Sequence, residues 1–533
     1  MERINVKKEI VCWGIGRICR NCLVNYPEVN PSFFIDSYAA CKIFEGKTVK
    51  SPKEIDDWTK YYIIITIKSK KAKAEIEEFL IEKGLHKEQD FCTYDHFFTC
   101  QSITVEKSMH LVEKYINEHP EMMSPILLRI PVTGIRNDKA YSRFISKYIK
   151  KRGSAKCVIL SVVQGEISEE FPTKFGCSVL RMPNSFMNQE DISGNNEEIE
   201  SLLAPEEMKW LEETRRRKLS DDKEEELHVS IKLYYYYKII LKQLKPSKII
   251  FWSNWNIESY IVGHLADAYN IPCGFMEYGW LPGTYQVDPR GIAGQSEYAV
   301  NPRMFETLEV TNIYDVKKIK QYIIDCKMDT RTFADTEEDN AALLRLDQNK
   351  KNIFLVGMDD HGMRMNPQNE YWKKYVSNVV ESTEETLILL AELCKRNNWN
   401  LIFKPHPGNR AYHYETDFEN IILVRDMEID KLIKLADVVV SIASSVDYKT
   451  LIYGKPLVQL GIHTLLGKGC TYVVLEKGML EKQICLALEN GMTEEQIEKF
   501  DRLLQILLQK YLWDDLSDRS LRYGRSTDED FLS

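Results

Sequence analysis

The segment from Leu401 to Gly461 constrains the fold more than any other part of the chain. It contains two short apolar runs, Leu401–Phe403 and Val438–Val440, and each run leads into a loop of small or polar residues. Short apolar runs bounded by turn residues are typical of buried parallel strands. Helical spacing follows the second loop from Val446 to Tyr453, and Gly454-Lys455-Pro456 then gives a helix stop. The segment therefore predicts strands and helices that alternate around a parallel sheet.

Both loops carry side chains that suit an anionic ligand. Lys404 and His406 follow the first run, and Ser444 and Ser445 precede the predicted helix. Free N–H groups and the helix dipole attract phosphate or carboxylate near such a position. Open α/β sheets bind ligands in the crevice at the carboxyl edge of their strands. We therefore expect an anionic ligand there, although capping of the helix is an alternative role for the two serines.

The overall composition indicates a multidomain protein of a reducing compartment. A chain of 533 residues exceeds one hydrophobic core, and about three domains are expected. The net charge of -9 argues against nucleic-acid binding. Thirteen scattered cysteines favour the cytoplasm, and the one close pair, Cys19 and Cys22, lacks the second pair that a metal site needs. No signal-peptide core or membrane-spanning run occurs in the sequence, and peripheral association with a membrane stays open.

The first hundred residues predict a small Rossmann-like domain. A strand at Glu9–Trp13 runs into Gly14-Ile15-Gly16, and a second strand ends at Asp36, about 20 residues further on. Cys19 stands where the fingerprint has its third glycine. A structural or sugar-nucleotide-sensing role is therefore favoured over NAD binding, with Gly14, Gly16 and Asp36 as candidate ligand residues. The segment FFIDSYAACKIFEGKTVKSPKEI resembles the N-terminal Rossmann-like modules of many bacterial sugar-modifying enzymes.

The central part of the chain offers a candidate general base. Strands are predicted at Lys248–Trp252 and Ile271–Met276, and the second of them delivers Glu277, with Gly279 two residues later. Such a carboxylate is held in the crevice by rigid backbone, although a turn or capping glutamate explains the spacing equally well. Further polar residues follow strand ends nearby, and we expect contacts with a second substrate from Asn254, Asp288 and Arg290.

The last part of the chain opens with a predicted strand at Asn352–Gly357. Asp359, Asp360 and His361 follow it, and the two aspartates are the only rival site for a metal ion. The closing sequence WDDLSDRSLRYGRSTDEDFLS is expected to fray. The predicted organisation is a small Rossmann-like domain (1–100), a linker helix (101–124), two further domains (125–330 and 351–533) and a linker between them (331–350).

Three stretches together resemble one protein family. PCGFMEYGWLPGTYQVDPRG, FKPHPGN and SIASSVDYKTLIYGKPLVQLG resemble the bacterial capsule polysaccharide biosynthesis/export family, which includes capsule Kdo transferases, and the resemblance covers about residues 126–480. It implies an α/β fold with a GT-B-like pair of Rossmann-like β/α domains, here preceded by the small Rossmann-like domain. The two GT-B domains would bind the acceptor (125–330) and the nucleotide-sugar donor (351–533).

The same resemblance implies a metal-independent inverting glycosyltransferase of cell-surface polysaccharide biosynthesis. Glu277 would deprotonate the acceptor hydroxyl, and His406 would donate to the leaving phosphate. The remaining donor-side residues would be Lys404, Pro407, Ser444, Ser445, Asp359 and His361. The implied donor is a CMP-activated sugar such as Kdo or another ulosonic acid, the acceptor is a saccharide or lipid-linked saccharide, and no cofactor is required.

Two alternatives remain open at this point. Lys-Pro-His-Pro followed by a serine loop also appears in teichoic-acid glycerophosphotransferases, which use CDP-glycerol, but these do not resemble the stretch from Glu277 to Gly291. A non-catalytic nucleotide-sugar-binding accessory protein of polysaccharide export is the third hypothesis. The presence of Glu277, His406 and both serines argues against it.

Overall fold

The computed structural model shows two compact units. The first comprises residues 1–135, 153–208 and 224–246, and the second comprises residues 136–152, 209–223 and 247–533. The structure describes residues 8–16, 18–19, 22–23, 29–37, 42–67, 69–94, 105–120, 122, 124–129, 139–161, 176–181, 196–217, 223–325, 336–363, 365–409, 414 and 419–532.

The first unit contains a six-stranded sheet with the strand order β3-β4-β2-β1-β5-β6. Only the β3–β4 pair is antiparallel among its pairings. Three further parallel strands of this unit pair in the order β7-β8-β9. The strands are β1 (Glu9–Trp13), β2 (Phe34–Ile35), β3 (Ile43–Phe44), β4 (Lys47–Lys50), β5 (Tyr61–Ile65), β6 (Phe91–Thr93), β7 (Ile126–Arg129), β8 (Cys157–Ser161) and β9 (Ser178–Arg181).

The second unit contains a parallel six-stranded sheet and a group of four paired strands. The sheet has the order β15-β14-β13-β16-β17-β18, and the four strands follow the order β19-β12-β11-β10. The strands are β10 (Lys248–Trp252), β11 (Cys273–Tyr278), β12 (Thr284–Asp288), β13 (Asn352–Val356), β14 (Asn400–Lys404), β15 (Ile421–Leu423), β16 (Val438–Ser441), β17 (Leu457–Gln459), β18 (Tyr472–Val473) and β19 (Leu512–Asp514).

Helices alternate with these strands along most of the chain. Among the described helices, none is both long and apolar enough to cross a bilayer. The helices are α1 (Lys70–Glu82), α2 (Val105–Glu118), α3 (Lys139–Arg152), α4 (Asn196–Ser201), α5 (Pro205–Arg215), α6 (Lys223–Leu244), α7 (Ile257–Ala268), α8 (Glu297–Val300), α9 (Met304–Thr307), α10 (Val316–Asp325), α11 (Glu337–Leu343), α12 (Asp360–Met363), α13 (Glu370–Tyr375), α14 (Thr383–Asn397), α15 (Ile429–Leu435), α16 (Val446–Ile452), α17 (Leu480–Asn490) and α18 (Glu494–Ile506).

The central strand of the six-stranded sheet in the second unit is buried on both faces. Phe354 of β13 packs into one apolar core, and its neighbours Ile353 and Leu355 pack into another. Successive side chains of a strand point to opposite faces, so a strand between two cores has to be apolar throughout. This explains why β13 and its two neighbours appear in the sequence as continuous apolar runs.

The strand order opens a crevice at the end of β13. This strand pairs with β14 on one side and with β16 on the other, both in parallel. The loops that leave β14 and β16 therefore diverge to opposite sides of β13, which is the arrangement that creates a ligand crevice at a carboxyl edge. The prediction of an α/β fold with Rossmann-like β/α layers is confirmed.

The end of the chain differs from its prediction, because residues 512–532 (the C-terminal segment) do not fray. Its strand β19 pairs antiparallel with β12. Phe531 is buried, and its ring stacks on Tyr148 with 3.9 Å between ring centroids. Lys248 forms an ion pair with Asp530 at 2.7 Å. The C-terminal segment is therefore ordered by contacts with residues that lie hundreds of positions earlier in the sequence, although its own composition predicts disorder.

Phe531→Ala is expected to destabilise the protein by about 3–5 kcal/mol, because it empties a buried aromatic site between Tyr148 and Trp513. Asp518→Ala is the matched control in the same segment, since that side chain is 90% exposed, and it should change stability by no more than about 0.5 kcal/mol. Chemical denaturation measures both. Equal small effects would show that the segment is not anchored by its apolar end.

Candidate functional site

The second unit contains a cavity of about 630 Å³ at the carboxyl ends of its strands. Its volume lies within the range of about 300–1,000 Å³ that is usual for ligand sites. The structure brings seven of the predicted site residues to this cavity: Glu277, Asp359, Lys404, His406, Pro407, Ser444 and Ser445.

Glu277 lies near the end of β11 and is partly buried at the cavity. Gly279 follows it, and a side chain at that position would overlap the side chain of Thr284. The absence of a side chain lets the Gly279 N–H donate to the Thr284 carbonyl at 2.8 Å. The glycine therefore closes the hairpin between β11 and β12 directly beside the carboxylate.

Trp280 anchors the same hairpin to the rest of the second unit. Its indole is buried between the rings of Tyr448 and Tyr511, with centroid distances of 5.2 and 5.0 Å. In both pairs the ring planes are nearly parallel, with interplanar angles of 4° and 9°. Offset stacking of this kind adds about 0.5–1.5 kcal/mol per pair beyond area burial. The residues after Glu277 are therefore held on two sides.

His406 has a defined tautomer when it is neutral. The Gly408 N–H donates to its Nδ1 at 3.1 Å, so the ring proton resides on Nε2. Asp359 Oδ1 lies 3.7 Å from the same Nδ1 atom and would stabilise the protonated imidazolium. The side chain is 33% exposed, which leaves it accessible from the cavity.

Lys404 contributes a buried cation to the cavity wall. Its Nζ donates to the carbonyl of Arg425 at 2.8 Å, which fixes the ammonium group in place. A fixed positive charge in a poorly hydrated site acts on a bound anion more strongly than a mobile surface lysine does.

The two neighbouring aspartates after β13 have different environments. Asp360 accepts hydrogen bonds from the Thr383 N–H at 2.6 Å and from Asn409 Nδ2 at 3.2 Å. Asp360 therefore braces the start of α14, whereas Asp359 lines the cavity. Within the described residues, no group of three or more His, Cys, Asp or Glu side chains could hold a metal ion.

The two serines before α16 differ in their contacts. Ser444 Oγ accepts from the Val446 N–H at 3.2 Å, which leaves its own hydroxyl proton to donate to a ligand. Ser445 is exposed at the cavity and makes no capping hydrogen bond. The Ser444 N–H donates to Asp447 Oδ2 at 3.2 Å, and burial raises the pKa of Asp447 to about 7.

Lys449 is a cavity residue that the sequence reasoning missed. It lies on α16, one turn after Ser445, and forms an ion pair with the buried carboxylate of Asp430. Residues four apart share a helix face, so the position of Ser445 could have pointed to Lys449. Lys404 and Lys449 therefore both line the cavity, and the charge of Lys449 is paired with Asp430.

His463 lines the cavity from a fully buried position, and burial lowers its pKa to about 3. An unfolded histidine titrates near pH 6.5, so below that pH the unfolded chain binds a proton that the folded chain excludes. This residue should therefore reduce stability as the pH falls from about 6.5 towards 3, by about 1.4 kcal/mol per pH unit.

His463→Phe is expected to remove that pH dependence. The comparison is the difference in unfolding free energy between the wild type and the variant at pH 7.5, 6.0 and 5.0. As the pH falls below about 6.5, the unfolding free energy of the wild type should decrease relative to that of the variant, by about 1.4 kcal/mol per pH unit. A constant difference between the two proteins over this range would contradict the burial of a neutral imidazole.

The predicted acceptor-side residues do not line the cavity. Asp288 is fully buried and accepts from the backbone N–H groups of Arg290, Gly291 and Glu297 and from the Tyr511 hydroxyl. Asn254 is also buried, and its Oδ1 accepts from the Ile292 N–H at 3.2 Å. The Arg290 side chain is exposed elsewhere. All three residues therefore shape the loop after β12.

Burial raises the pKa of Asp288 to about 6, although its four hydrogen-bond donors oppose this by stabilising the carboxylate. His361 lies within α12, and its side chain lies outside the described part of the structure.

The glycine loop of the first unit is arranged around Asp36. The Ile15 N–H donates to Asp36 Oδ2 at 3.4 Å, and the Gly14 N–H donates to the Ile35 carbonyl at 2.8 Å. Among the described residues, and apart from the chain neighbours, no atom lies within 4 Å of a Cβ placed at Gly16. Asp36 thus contacts the loop itself, and ligand binding by Gly14, Gly16 and Asp36 stays a prediction.

Comparison with known proteins adds similarities at low identity. No protein-family model matches the chain, and no curated protein matches its sequence. Thermosulfurimonas dismutans KpsC, a β-Kdo 2,7-transferase, is 17% identical over 52% of this chain and 81% of its own, with a TM-score of 0.32.

Two further solved structures are similar over more of the chain. The UDP-GlcNAc 2-epimerase of Neisseria meningitidis, bound to UDP-GlcNAc, is 10% identical over 70% of this chain and 94% of its own, with a TM-score of 0.30. The glycosyltransferase SnogD of Streptomyces nogalater is 10% identical over 72% and 94%, with a TM-score of 0.25.

Proposed function

We propose that the chain is a GT-B-like glycosyltransferase that uses a nucleotide-activated sugar to build a bacterial surface polysaccharide, and that the reaction takes place at the cavity of the second unit. The supporting observation is that Glu277, His406, Lys404 and the serine pair line one cavity although they come from separate strand ends. A base and a phosphate-binding set on one cavity are the two parts that an inverting sugar transfer needs.

Glu277 would act as the general base. A carboxylate at the end of a strand is held rigidly, and the stacked Trp280 restrains the chain that follows it. It would accept the proton of the acceptor hydroxyl while that oxygen attacks the anomeric carbon. The requirement is hydrogen-bond reach of the nucleophile at a suitable basicity.

His406 would stabilise the leaving nucleotide phosphate. Because Nδ1 accepts from the Gly408 N–H, the neutral ring carries its proton on Nε2, and this N–H would donate to the phosphate. The Ser444 hydroxyl proton and the exposed Ser445 hydroxyl add two further donors. Fixed donors aimed at a developing charge are worth about 3–4 kcal/mol each in known active sites.

We propose that the reaction is metal-independent, because lysine side chains of the cavity would balance the charge of the phosphate. Lys404 and Lys449 both line the cavity and would compensate the charge of the phosphate, although Lys449 is also paired with Asp430. A nucleoside monophosphate bears less charge than a diphosphate and needs less compensation. We therefore infer a CMP-activated donor, such as Kdo or another ulosonic acid, whose carboxylate would also fit the serine pair.

The acceptor would be a saccharide or a lipid-linked saccharide, with the protein in the cytoplasm or at the inner face of the membrane. The ten described cysteines are all free thiols, which fits a reducing compartment. Neither a cofactor nor a nucleic-acid partner is part of the proposal.

Nucleotide release from candidate donors tests the proposal. The purified chain is incubated with CMP-Kdo, CMP-N-acetylneuraminic acid, CDP-glycerol and UDP-GlcNAc, each with and without EDTA, and a saccharide or lipid-linked saccharide acceptor is supplied so that the transferred group has a nucleophile. Release of CMP that persists in EDTA is the expected result. Release from CDP-glycerol alone would favour the glycerophosphotransferase alternative, and binding without release from any donor would favour a non-catalytic accessory protein.

A further inference from the structure

The C-terminal segment donates hydrogen bonds to the turn that joins β11 to β12. The Tyr523 hydroxyl donates to the Pro282 carbonyl at 2.6 Å, and Arg519 Nη1 donates to the same oxygen at 3.5 Å. The Asp515 N–H donates to the Gly283 carbonyl at 3.0 Å. Three donors from one segment thus converge on two adjacent carbonyls of this turn.

Arg519 is the centre of this contact. Its side chain is 2% exposed and forms an ion pair with Asp514 at 3.0 Å. Its Nε donates to Ser517 Oγ at 3.1 Å, and its guanidinium lies 4.0 Å from the ring centroid of Tyr523. A planar guanidinium engaged on several sides has one orientation, which a flexible ammonium would not reproduce.

Gly283 is the residue of the turn on which Arg519 packs. Its φ is +71°, a left-handed conformation that favours glycine, and a Cβ at this position would lie 2.8 Å from Arg519 Nε. The guanidinium therefore packs directly on the backbone of the turn. Asp515, next to the ion-paired Asp514, lines the cavity.

We propose that Arg519 is a positioning residue for Glu277. The turn it holds begins five residues after Glu277, and the same hairpin carries Trp280. Displacement of the turn would shift β11 relative to His406 and Ser444, which line the same cavity. A misplacement of about 1 Å can cost about 100-fold in rate. This inference rests on the proposed glycosyl transfer.

The test compares Arg519→Lys and Arg519→Met with Arg522→Ala. Arg522 is a matched control because it pairs with the same Asp514 Oδ1 at 2.9 Å, yet its side chain is 49% exposed and no hydrogen bond to the turn is described for it. We expect Arg519→Met to lower kcat for CMP release about 10- to 100-fold, with the KM for the donor unchanged within about twofold. Arg519→Lys should recover part of kcat, and Arg522→Ala should match the wild type.

Hydrogen–deuterium exchange separates this inference from the proposed function. Faster exchange of the amides of residues 279–284 is expected in Arg519→Lys and Arg519→Met and not in Arg522→Ala. Unchanged exchange in both Arg519 variants would overturn the inference even if no donor is turned over. Where the wild type does release CMP, unchanged kcat in both Arg519 variants, or a rise in KM alone, would overturn it too. If the wild type releases no nucleotide, the proposed function fails and Arg519 loses its positioning role with it.

Discussion

Glu277→Gln is expected to lower the rate of CMP release by about 10²–10⁴-fold, the usual contribution of a positioned general base. The amide keeps the shape of the carboxylate but cannot accept a proton at neutral pH. Its Oε1 can still accept from the Tyr278 N–H, as the carboxylate does at 3.2 Å, so the fold should be retained. The variant removes the chemistry and leaves the cavity in place.

The measurement is steady-state CMP release together with the dissociation constant of CMP. CMP binding should be unchanged, because the residues proposed to bind the phosphate lie at the ends of β14 and β16 and in the loops that follow. Glu306→Gln, at an exposed position of the same unit, is the matched control and should have wild-type activity. Full activity in Glu277→Gln would exclude this residue as the base.

Asp288→Ala is expected to destabilise the protein by about 3–5 kcal/mol. The carboxylate accepts from the N–H groups of Arg290 at 2.8 Å and Glu297 at 2.9 Å, and from the Tyr511 hydroxyl at 3.0 Å. Truncation to alanine leaves these donors without an acceptor in a site that water does not reach. A buried donor without a partner costs about 1–3 kcal/mol, and the separate costs are not additive.

Arg290→Ala is the control for the structural role of the Asp288 carboxylate. Only the Arg290 backbone N–H contacts Asp288, so loss of the exposed side chain should change stability by no more than about 0.5 kcal/mol. Urea denaturation measures both variants. A small loss in Asp288→Ala would contradict the structural role of this carboxylate and would reopen its assignment to the acceptor side.

The sheet layers could be predicted because their signal is local. Runs such as Lys248–Trp252 and Asn352–Val356 are apolar over the length of one strand and end in turn residues, and the structure has strands at both. The lysine, histidine and serine pair could be found for the same reason. Each lies at the end of a strand or in the loop that follows it, and parallel strands present their carboxyl ends at one edge.

The remaining features depend on partners that are distant in the sequence. From the sequence, Asp288 could contact a substrate or accept structural hydrogen bonds. The hydrogen bond from the Tyr511 hydroxyl, more than 200 residues away in the sequence, supports the structural role. The C-terminal segment is polar and rich in aspartate, and only its pairing with β12 and the packing of Phe531 order it. Contacts between residues so far apart in the sequence produce no periodic pattern, either around Asp288 or in the C-terminal segment.

Nucleotide-dependent thermal stabilisation tests the central claim most directly. The chain is measured with CMP, CDP, UDP, GDP and NAD, alongside His406→Ala and the control His86→Ala, an exposed histidine of the first unit. A ligand at about 100 times its dissociation constant adds ~2.7 kcal/mol of stability. We predict stabilisation by CMP that His406→Ala weakens and His86→Ala preserves. Stabilisation only by UDP or GDP would contradict the CMP donor, and no response to any nucleotide, or an equal response in His406→Ala, would contradict a nucleotide-sugar site at this cavity.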